Sequence, residues 1–281
     1  MDYRQKPDWL KIKLPRGFKA SMVQGMLHER GLHTICTSGL CPNRGECWGN
    51  GTATFMIGGD TCTRCCKFCN VKTGRPSPLE EKEIDEIVQS VKELKLKHAV
   101  ITSVDRDDLP DLGCSHWVKL VKRLKEECPE LTMETLIPDM MGRTELLDLI
   151  IEAAPDIISH NMETVRRLTP QIRSVATYDR SLEVLRYLSS KGVRTKSGIM
   201  LGLGEKEEEI YEVMDDLRDA GVQIITIGQY LQPTRKHWPV EDYVTPDKFE
   251  EYRLEGLRRG FRHVESAPLV RSSYHAERHV H

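Results

Sequence analysis

Seven of the nine cysteines in this chain of 281 residues fall between positions 36 and 69. Cys36, Cys41 and Cys47 are spaced Cys-x4-Cys-x5-Cys; Cys62, Cys66 and Cys69 are spaced Cys-x3-Cys-x2-Cys, in the stretch TCTRCCKFCN that also holds Cys65. Thiols crowded on short loops are the usual ligands of soft metals and iron–sulfur clusters. Each group is a triad, whereas a structural zinc ion closes with four ligands in pairs, so pooling the triads into one or two zinc sites is one reading. Iron–sulfur clusters are the other. Three thiolates on a four-iron cluster leave one iron open to a substrate or cofactor, as an open position separates catalytic from structural zinc. Cys114 and Cys128 lack ligand-like spacing and read as ordinary thiols.

Composition narrows the setting. A formal charge of −2 and a pI near 6.6 supply no basic field, which argues against nucleic acid as a partner. No run of about 18 apolar residues is present to cross a membrane, and the N-terminus has no secretory apolar region. These features lead us to expect a cytoplasmic protein, a reducing setting in which clustered cysteines serve metals or catalysis rather than disulfides. The stretch through Lys19 carries six basic residues against two acidic ones. It reads as a solvated arm or as a weak electrostatic contact with an acidic partner.

The elements that must position these groups alternate from about residue 52 onward. Strand candidates are TATFMI, HAVITS, LTMETLI, DIISHN, VRTKSGIML and VQIITIGQY. Helical faces lie between them: Ile84, Ile87, Val88, Val91 and Leu94; Trp117 to Lys125; Leu146, Leu147, Ile150 and Ile151; Leu182, Leu185 and Leu188; Ile210, Val213, Met214 and Leu217. Lys191-Gly192 stops the fourth helix with a cation and a glycine. Six βα units predict a parallel sheet, either a six-stranded open barrel or a doubly wound sheet. We expect residues 1–50 to form an N-terminal extension, 51–245 the repeating domain, and 246–281 a C-terminal helix and tail. In that tail the histidines read as solvated.

The stretch CTRCCKFC resembles the signature of the radical S-adenosylmethionine superfamily. CTSGLCPNRGECW, KPDWLKIKLP, ETLIPDM, SHNMETV, KSGIMLGLGE, GQYLQPT and VRSSYHAE are similar, in order, to segments of lipoyl synthases, from about Pro7 to Glu277. Cys65 and Met162 depart from that pattern, where relatives carry a non-cysteine residue and commonly leucine. The resemblance implies an α/β fold, a partial (β/α)6 TIM-like barrel with N-terminal and C-terminal extensions. It implies two 4Fe–4S clusters and S-adenosylmethionine as cofactors. Cys62, Cys66 and Cys69 would hold the cluster that binds S-adenosylmethionine; Cys36, Cys41 and Cys47 would hold an auxiliary cluster with a serine of Arg271 to Tyr274, Ser273 rather than Ser272, as fourth ligand.

The implied reaction inserts two sulfur atoms at carbons 6 and 8 of an octanoyl chain linked to a lysine. It uses two S-adenosylmethionine molecules and sulfur from the auxiliary cluster. The implied partners are an octanoylated lipoyl carrier domain or H protein, an electron donor such as ferredoxin or flavodoxin, and an iron–sulfur carrier for cluster repair. Polar residues ending the fourth and fifth strands should face the barrel mouth. There Asn161, Glu163 and Lys196 are candidate cofactor contacts, Lys196 toward the methionyl carboxylate. Gly58-Gly59-Asp60 reads as a tight turn or as part of the cofactor's amino-acid pocket, and Glu205 to Glu209 as a solvated helix start. Competing readings are another radical enzyme with an auxiliary cluster, and a non-catalytic metal or cluster carrier.

Overall fold

The computed structural model describes residues 5–11, 23, 25–27, 29–39, 41–49 and 52–280. Most of the basic N-terminal arm lies outside them. Seven parallel strands follow chain order in an unclosed sheet: β1 (Thr52–Ile57), β4 (His98–Ser103), β5 (Thr132–Leu136), β6 (Ile157–Ser159), β7 (Thr195–Leu201), β8 (Ile224–Gln229) and β9 (His263–Ala267). Two short strands, β2 (Thr61–Cys62) and β3 (Lys72–Thr73), pair separately. The chain forms two compact units: Leu14–Cys65 with Asn70–Ser159 and Ser273–His281, and Met1–Lys13 with Cys66–Cys69 and His160–Ser272.

In the first unit β1 is buried along its whole length and pairs with β4, Thr52 opposite His98 through Ile57 opposite Ser103. A strand buried on both faces needs a continuous apolar run rather than alternation, as TATFMI and HAVITS supply. The helix Glu81–Leu94 buries Ile84, Ile87, Val88 and Val91, each at most 2 % exposed. Burying each such side chain contributes about 1.5–3 kcal/mol. Lys95 ends that helix in the left-handed region, at φ 48°. Helices Cys114–Glu127 and Thr144–Ala153 complete this half.

The core of the second unit joins Ile199 and Leu201 of β7 and Ile225 and Ile227 of β8 to three helices. Tyr178–Ser190 contributes Leu182 and Leu185, Glu207–Asp219 contributes Ile210, Val213, Met214 and Leu217, and Pro246–Arg258 contributes Phe249 and Tyr252. Thr177 caps the first of these, its hydroxyl accepting from the Arg180 N–H, and Gly192 follows its end at φ 78° as expected.

Six strand–helix units thus run in succession, as the partial barrel requires. A seventh strand, β9, lies in the stretch read from sequence as tail. Only Val264 of its five residues is buried, so no apolar run marks it; its pairing with β8 and the Ser266 hydroxyl's bond to the Phe249 carbonyl, 2.6 Å, hold it. Beside it the backbone approaches so closely that a Cβ on Gly228 would lie 2.1 Å from the Val270 carbonyl oxygen. Gly228→Ala is therefore expected to cost about 1–3 kcal/mol, read as a lowered urea midpoint of the apoprotein with an unchanged m-value.

Candidate functional site

Cys36, Cys41, Cys47 and Ser273 all belong to the first unit. Cys36 sits in the short helix Ile35–Ser38, capped by the Thr34 hydroxyl, and Cys47 in Arg44–Gly49. The Cys41 N–H donates to the Cys36 carbonyl at 3.0 Å. A side-chain hydrogen bond from Cys41 pulls the Cys36 thiol down to about 6 against the effect of burial, with Thr34 and Thr54 helping. Burial, together with the charge of Cys36, pushes the Cys47 thiol up to about 12. One thiolate therefore forms readily and discourages the next. A positively charged metal core removes that conflict, because coordination drives deprotonation of its thiols.

Ser273 is half-buried in the segment that returns to the Cys47 helix. The Tyr274 hydroxyl lies 3.3 Å from the Glu46 carboxylate, and His275 lies 3.4 Å from Glu277. Glu277 in turn accepts from the Thr52 hydroxyl at the start of β1, at 3.4 Å. Trp48, beside Cys47, is buried, and its indole N–H finds no acceptor among the described residues. No three His, Cys, Asp or Glu side chains among those residues converge on a single ion.

Cys62 ends β2, and the ladder of β2 with β3 fixes the two ends of the intervening loop, Cys62 opposite Thr73. Its sulfur accepts from the Arg64 N–H at 3.4 Å and the Asp105 N–H at 3.3 Å. The Arg64 side chain is 4 % exposed and meets three aspartates: Asp105 at 3.2 Å, Asp107 at 2.7 Å and Asp139 at 2.8 Å. Burial pushes the Asp105 carboxyl up in spite of Arg64. Asp139 lies near the end of ETLIPDM, and the two residues after it, Met140 and Met141, both take left-handed backbone, φ 44° and 52°. The Asp139 carboxylate accepts from the Met141 N–H at 3.2 Å and holds that turn. Strained backbone of this kind persists only where its surroundings over-determine it.

Cys66 and Cys69 lie in the second unit. Between them the Lys67 N–H donates to the Ile172 carbonyl at 2.8 Å, and the Lys67 carbonyl accepts from the Trp238 N–H at 2.9 Å. His237 Nε2 lies 3.0 Å from the Cys69 carbonyl, and Cys66 Sγ lies 3.7 Å from the Ser174 hydroxyl. Cys65 is exposed.

Asn161, Glu163 and Lys196 are in this unit as well. The Asn161 amide donates to Glu163 at 3.1 Å, and Glu163 occupies left-handed backbone at φ 67° while bridging to Ile199 beside β7. Burial raises the Glu163 carboxyl above the usual range, with Arg173 pulling the other way. Lys196 is 1 % exposed on β7 and points to the same side as Gly198 two residues on. A Cβ at Gly198 would meet Asn161 Oδ1 at 3.0 Å and Thr226 Oγ1 at 2.5 Å. Glycine there leaves room for the Asn161 amide on the side Lys196 occupies.

The radical SAM superfamily matches residues 56–217, more than half of the chain. Over 98 % of its length the chain is 59 % identical to the lipoyl synthase of Parabacteroides distasonis, covering 98 % of that protein. It is 61 % identical to the lipoyl synthase of Porphyromonas gingivalis, covering 98 % of each chain. The chain belongs to the lipoyl synthase family. The mitochondrial lipoyl synthase of Nematostella vectensis is 59 % identical to it over 98 % of this chain and 95 % of that protein. Among solved structures, methylornithine synthase PylB superposes with a TM-score of 0.58 at 16 % identity, covering 89 % of this chain and 82 % of that one. Streptococcus suis SuiB bound to S-adenosylmethionine gives 0.63 at 13 %, with 90 % and 62 % covered. These two likenesses support the fold alone.

As a lipoyl synthase the chain is a radical enzyme that works with 4Fe–4S clusters and S-adenosylmethionine, and the insertion of sulfur into an octanoyl chain follows from its family. No helix among the described residues is long and apolar enough to cross a membrane.

Several side chains do more than their sequence context suggested. The Gly58 and Gly59 N–H groups of the turn after β1 donate to Glu83, at 2.9 and 3.2 Å. Glu205 is not simply solvated, since its carboxylate accepts from the Gly202 and Leu203 N–H groups at 2.6 and 2.9 Å. In the tail His279 is buried and His275 is half-buried against Glu277, contrary to the solvated reading. Arg64 sits in the cysteine motif, yet its acid partners lie 41 to 75 residues away in sequence, and no local signal points to them.

Burial works against the Glu83 carboxylate, but His116 at 2.7 Å and the two glycine N–H groups outweigh it and hold Glu83 below the usual carboxylate range. A depressed folded-state value contributes stability that is present above the unfolded value of about 4.3 and is lost as pH falls through the folded one. Glu83→Gln is expected to flatten that acid limb in a pH series of denaturation midpoints. Arg64→Met leaves the buried Asp139 carboxylate, with the more exposed Asp105 and Asp107, without its cation and is expected to destabilise the apoprotein by about 3 kcal/mol, measured by urea unfolding at neutral pH.

Proposed function

We propose that Cys62, Cys66 and Cys69 hold the 4Fe–4S cluster that binds S-adenosylmethionine, and that Cys36, Cys41, Cys47 and Ser273 hold the auxiliary 4Fe–4S cluster that gives up sulfur. The substrate is an octanoylated lipoyl carrier domain or H protein, with a ferredoxin or flavodoxin as electron donor and an iron–sulfur carrier restoring the spent cluster. The setting is cytoplasmic. Residues 1–50 act as the extension bearing three auxiliary ligands, 51–245 as the radical SAM barrel, and 246–281 as the helix and tail bearing the fourth.

When bound, the clusters and S-adenosylmethionine supply hydrogen abstraction from unactivated carbon and the two sulfur atoms. The protein's own groups hold, orient and exclude water. The N–H groups of Arg64 and Asp105 donate to the Cys62 sulfur and fix its direction. Asn161, Glu163 and Lys196 receive the methionyl part of the cofactor, Lys196 opposite its carboxylate. Ser273 would offer the auxiliary cluster an oxygen donor, harder than thiolate and more readily replaced.

The observation that carries this reading is the bond between Tyr274 and Glu46, which seats the Ser273 segment on the helix of Cys47. After anaerobic reconstitution, about eight irons and eight sulfides per chain are expected, and about four of each when either cysteine triad is replaced by alanine. Ser273→Ala should still form 5'-deoxyadenosine yet give an octanoyl-lysine peptide without two added sulfurs by mass. Full sulfur insertion by that variant would remove Ser273 from the reaction, and zinc without labile sulfide would remove both clusters.

A further inference from the structure

The loop after β8, residues 231–240, has no regular secondary structure and is nonetheless fixed on all sides. The Tyr230 hydroxyl donates to the Trp238 carbonyl at 2.7 Å, Gln232 Nε2 to the His237 carbonyl at 2.9 Å, and Trp238 Nε1 to the Leu203 carbonyl at 3.0 Å. Its far side is tied to the cysteine loop, through the Trp238 N–H on the Lys67 carbonyl and His237 on the Cys69 carbonyl. The Lys67 ammonium lies 5.3 Å from the centre of the Trp238 ring.

At the tip of this loop Arg235 and Lys236 are exposed, as is Lys67 on the cysteine loop. None of the three pairs with an acid among the described residues. Arg166, Arg167, Lys248, Arg253 and Arg259 carry carboxylate partners. What distinguishes Lys67, Arg235 and Lys236 from other unpaired surface cations such as Lys82, Lys95 and Lys97 is their place on the cysteine loop and on the loop bonded to it.

We propose that Lys67, Arg235 and Lys236 form the docking surface for an acidic electron-carrier protein. The proposal rests on the assignment of Cys66 and Cys69 as cluster ligands made above. Electron transfer through protein falls off steeply with distance, so a donor must dock directly over the cluster's ligands. A carrier domain faces no such constraint, because its octanoyl-lysine arm reaches inward while its body stays outside. His237 and Trp238, which follow Arg235 and Lys236, bond to the carbonyls of Cys69 and Lys67, so the two cations belong to a loop seated on the proposed cluster loop, where a donor has to land. Opposite charge there steers encounter and fixes orientation. One electron leaves the donor and enters the cluster, with no bond formed or broken.

The test is the rate at which flavodoxin in its hydroquinone form reduces the cluster of reconstituted protein, followed by stopped-flow absorbance. The double variant Arg235→Glu with Lys236→Glu is expected to be reduced about tenfold more slowly at low ionic strength, the gap closing toward about 0.5 M salt. Its iron content and its reduction by dithionite should equal those of the wild type. Arg235→Lys with Lys236→Arg keeps the charge and should keep the rate. Unchanged reduction of the charge-reversed variant at low salt would overturn the proposal. So would weakened binding of the octanoylated carrier with donor kinetics intact, since the surface would then belong to the carrier. The underlying ligand assignment fails separately, if Cys66→Ser retains both clusters in full.

Discussion

A cysteine-rich loop with no long hydrogen-bond ladder of its own must be held from outside by neighbouring elements, and the stretch from Cys62 to Cys69 obeys that constraint. Its start is held by the β2–β3 ladder and by two N–H groups on the Cys62 sulfur. Its later part is held by Ile172, Trp238 and His237 through the main chain of Lys67 and Cys69. These contacts use mainly backbone atoms. The exception is Arg64, whose guanidinium is committed to three aspartates and ties the loop to the segments after β4 and β5.

That commitment explains why the strained turn at Met140 and Met141 persists. Two successive non-glycine residues in the left-handed region cost about 1–2 kcal/mol each. Asp139 offsets part of this locally by accepting from the Met141 N–H, and Arg64 holds Asp139 in turn. Strain, buried acid and cysteine loop are therefore one mechanical unit. The glycines of the second unit solve a different problem. Gly198 and Gly228 sit where a Cβ would strike Thr226 or the Val270 carbonyl, so the strands approach their neighbours more closely than any side chain allows.

The fold was largely legible because its strands are buried on both faces, which makes each an apolar run set between helical periods. TATFMI, HAVITS and the run through IITIGQ coincide with β1, β4 and β8. β9 was not legible, since HVESA buries one residue and owes its place to the register with β8. The same limit applies to the site. Cysteine spacing is written in the sequence because the proposed ligands share short loops and are close in the chain. The contacts of Arg64, Glu83 and Glu205 are set by tertiary approach, and local pattern carries no trace of them. Glu205 shows the failure most clearly: within EKEEE it resembles its exposed neighbours, yet its carboxylate closes the turn that precedes the helix.

The tail poses the same question over the longest distance. Tyr274 and Glu46 are 228 residues apart, and the hydroxyl–carboxylate contact between them is 3.3 Å. The proposed serine ligand could have stood on the loop with Cys36 and Cys41, where closing the site would cost little chain entropy. Bringing the Ser273 segment from the end of the chain makes its place depend on folding of what lies between, and on contacts of Glu46, Glu277 and Thr52 that hold the segment by themselves. A segment held in this way needs no bond from Ser273 to stay docked, which under the proposed assignment would suit a cluster that gives up sulfur better than four thiolates on one short loop would.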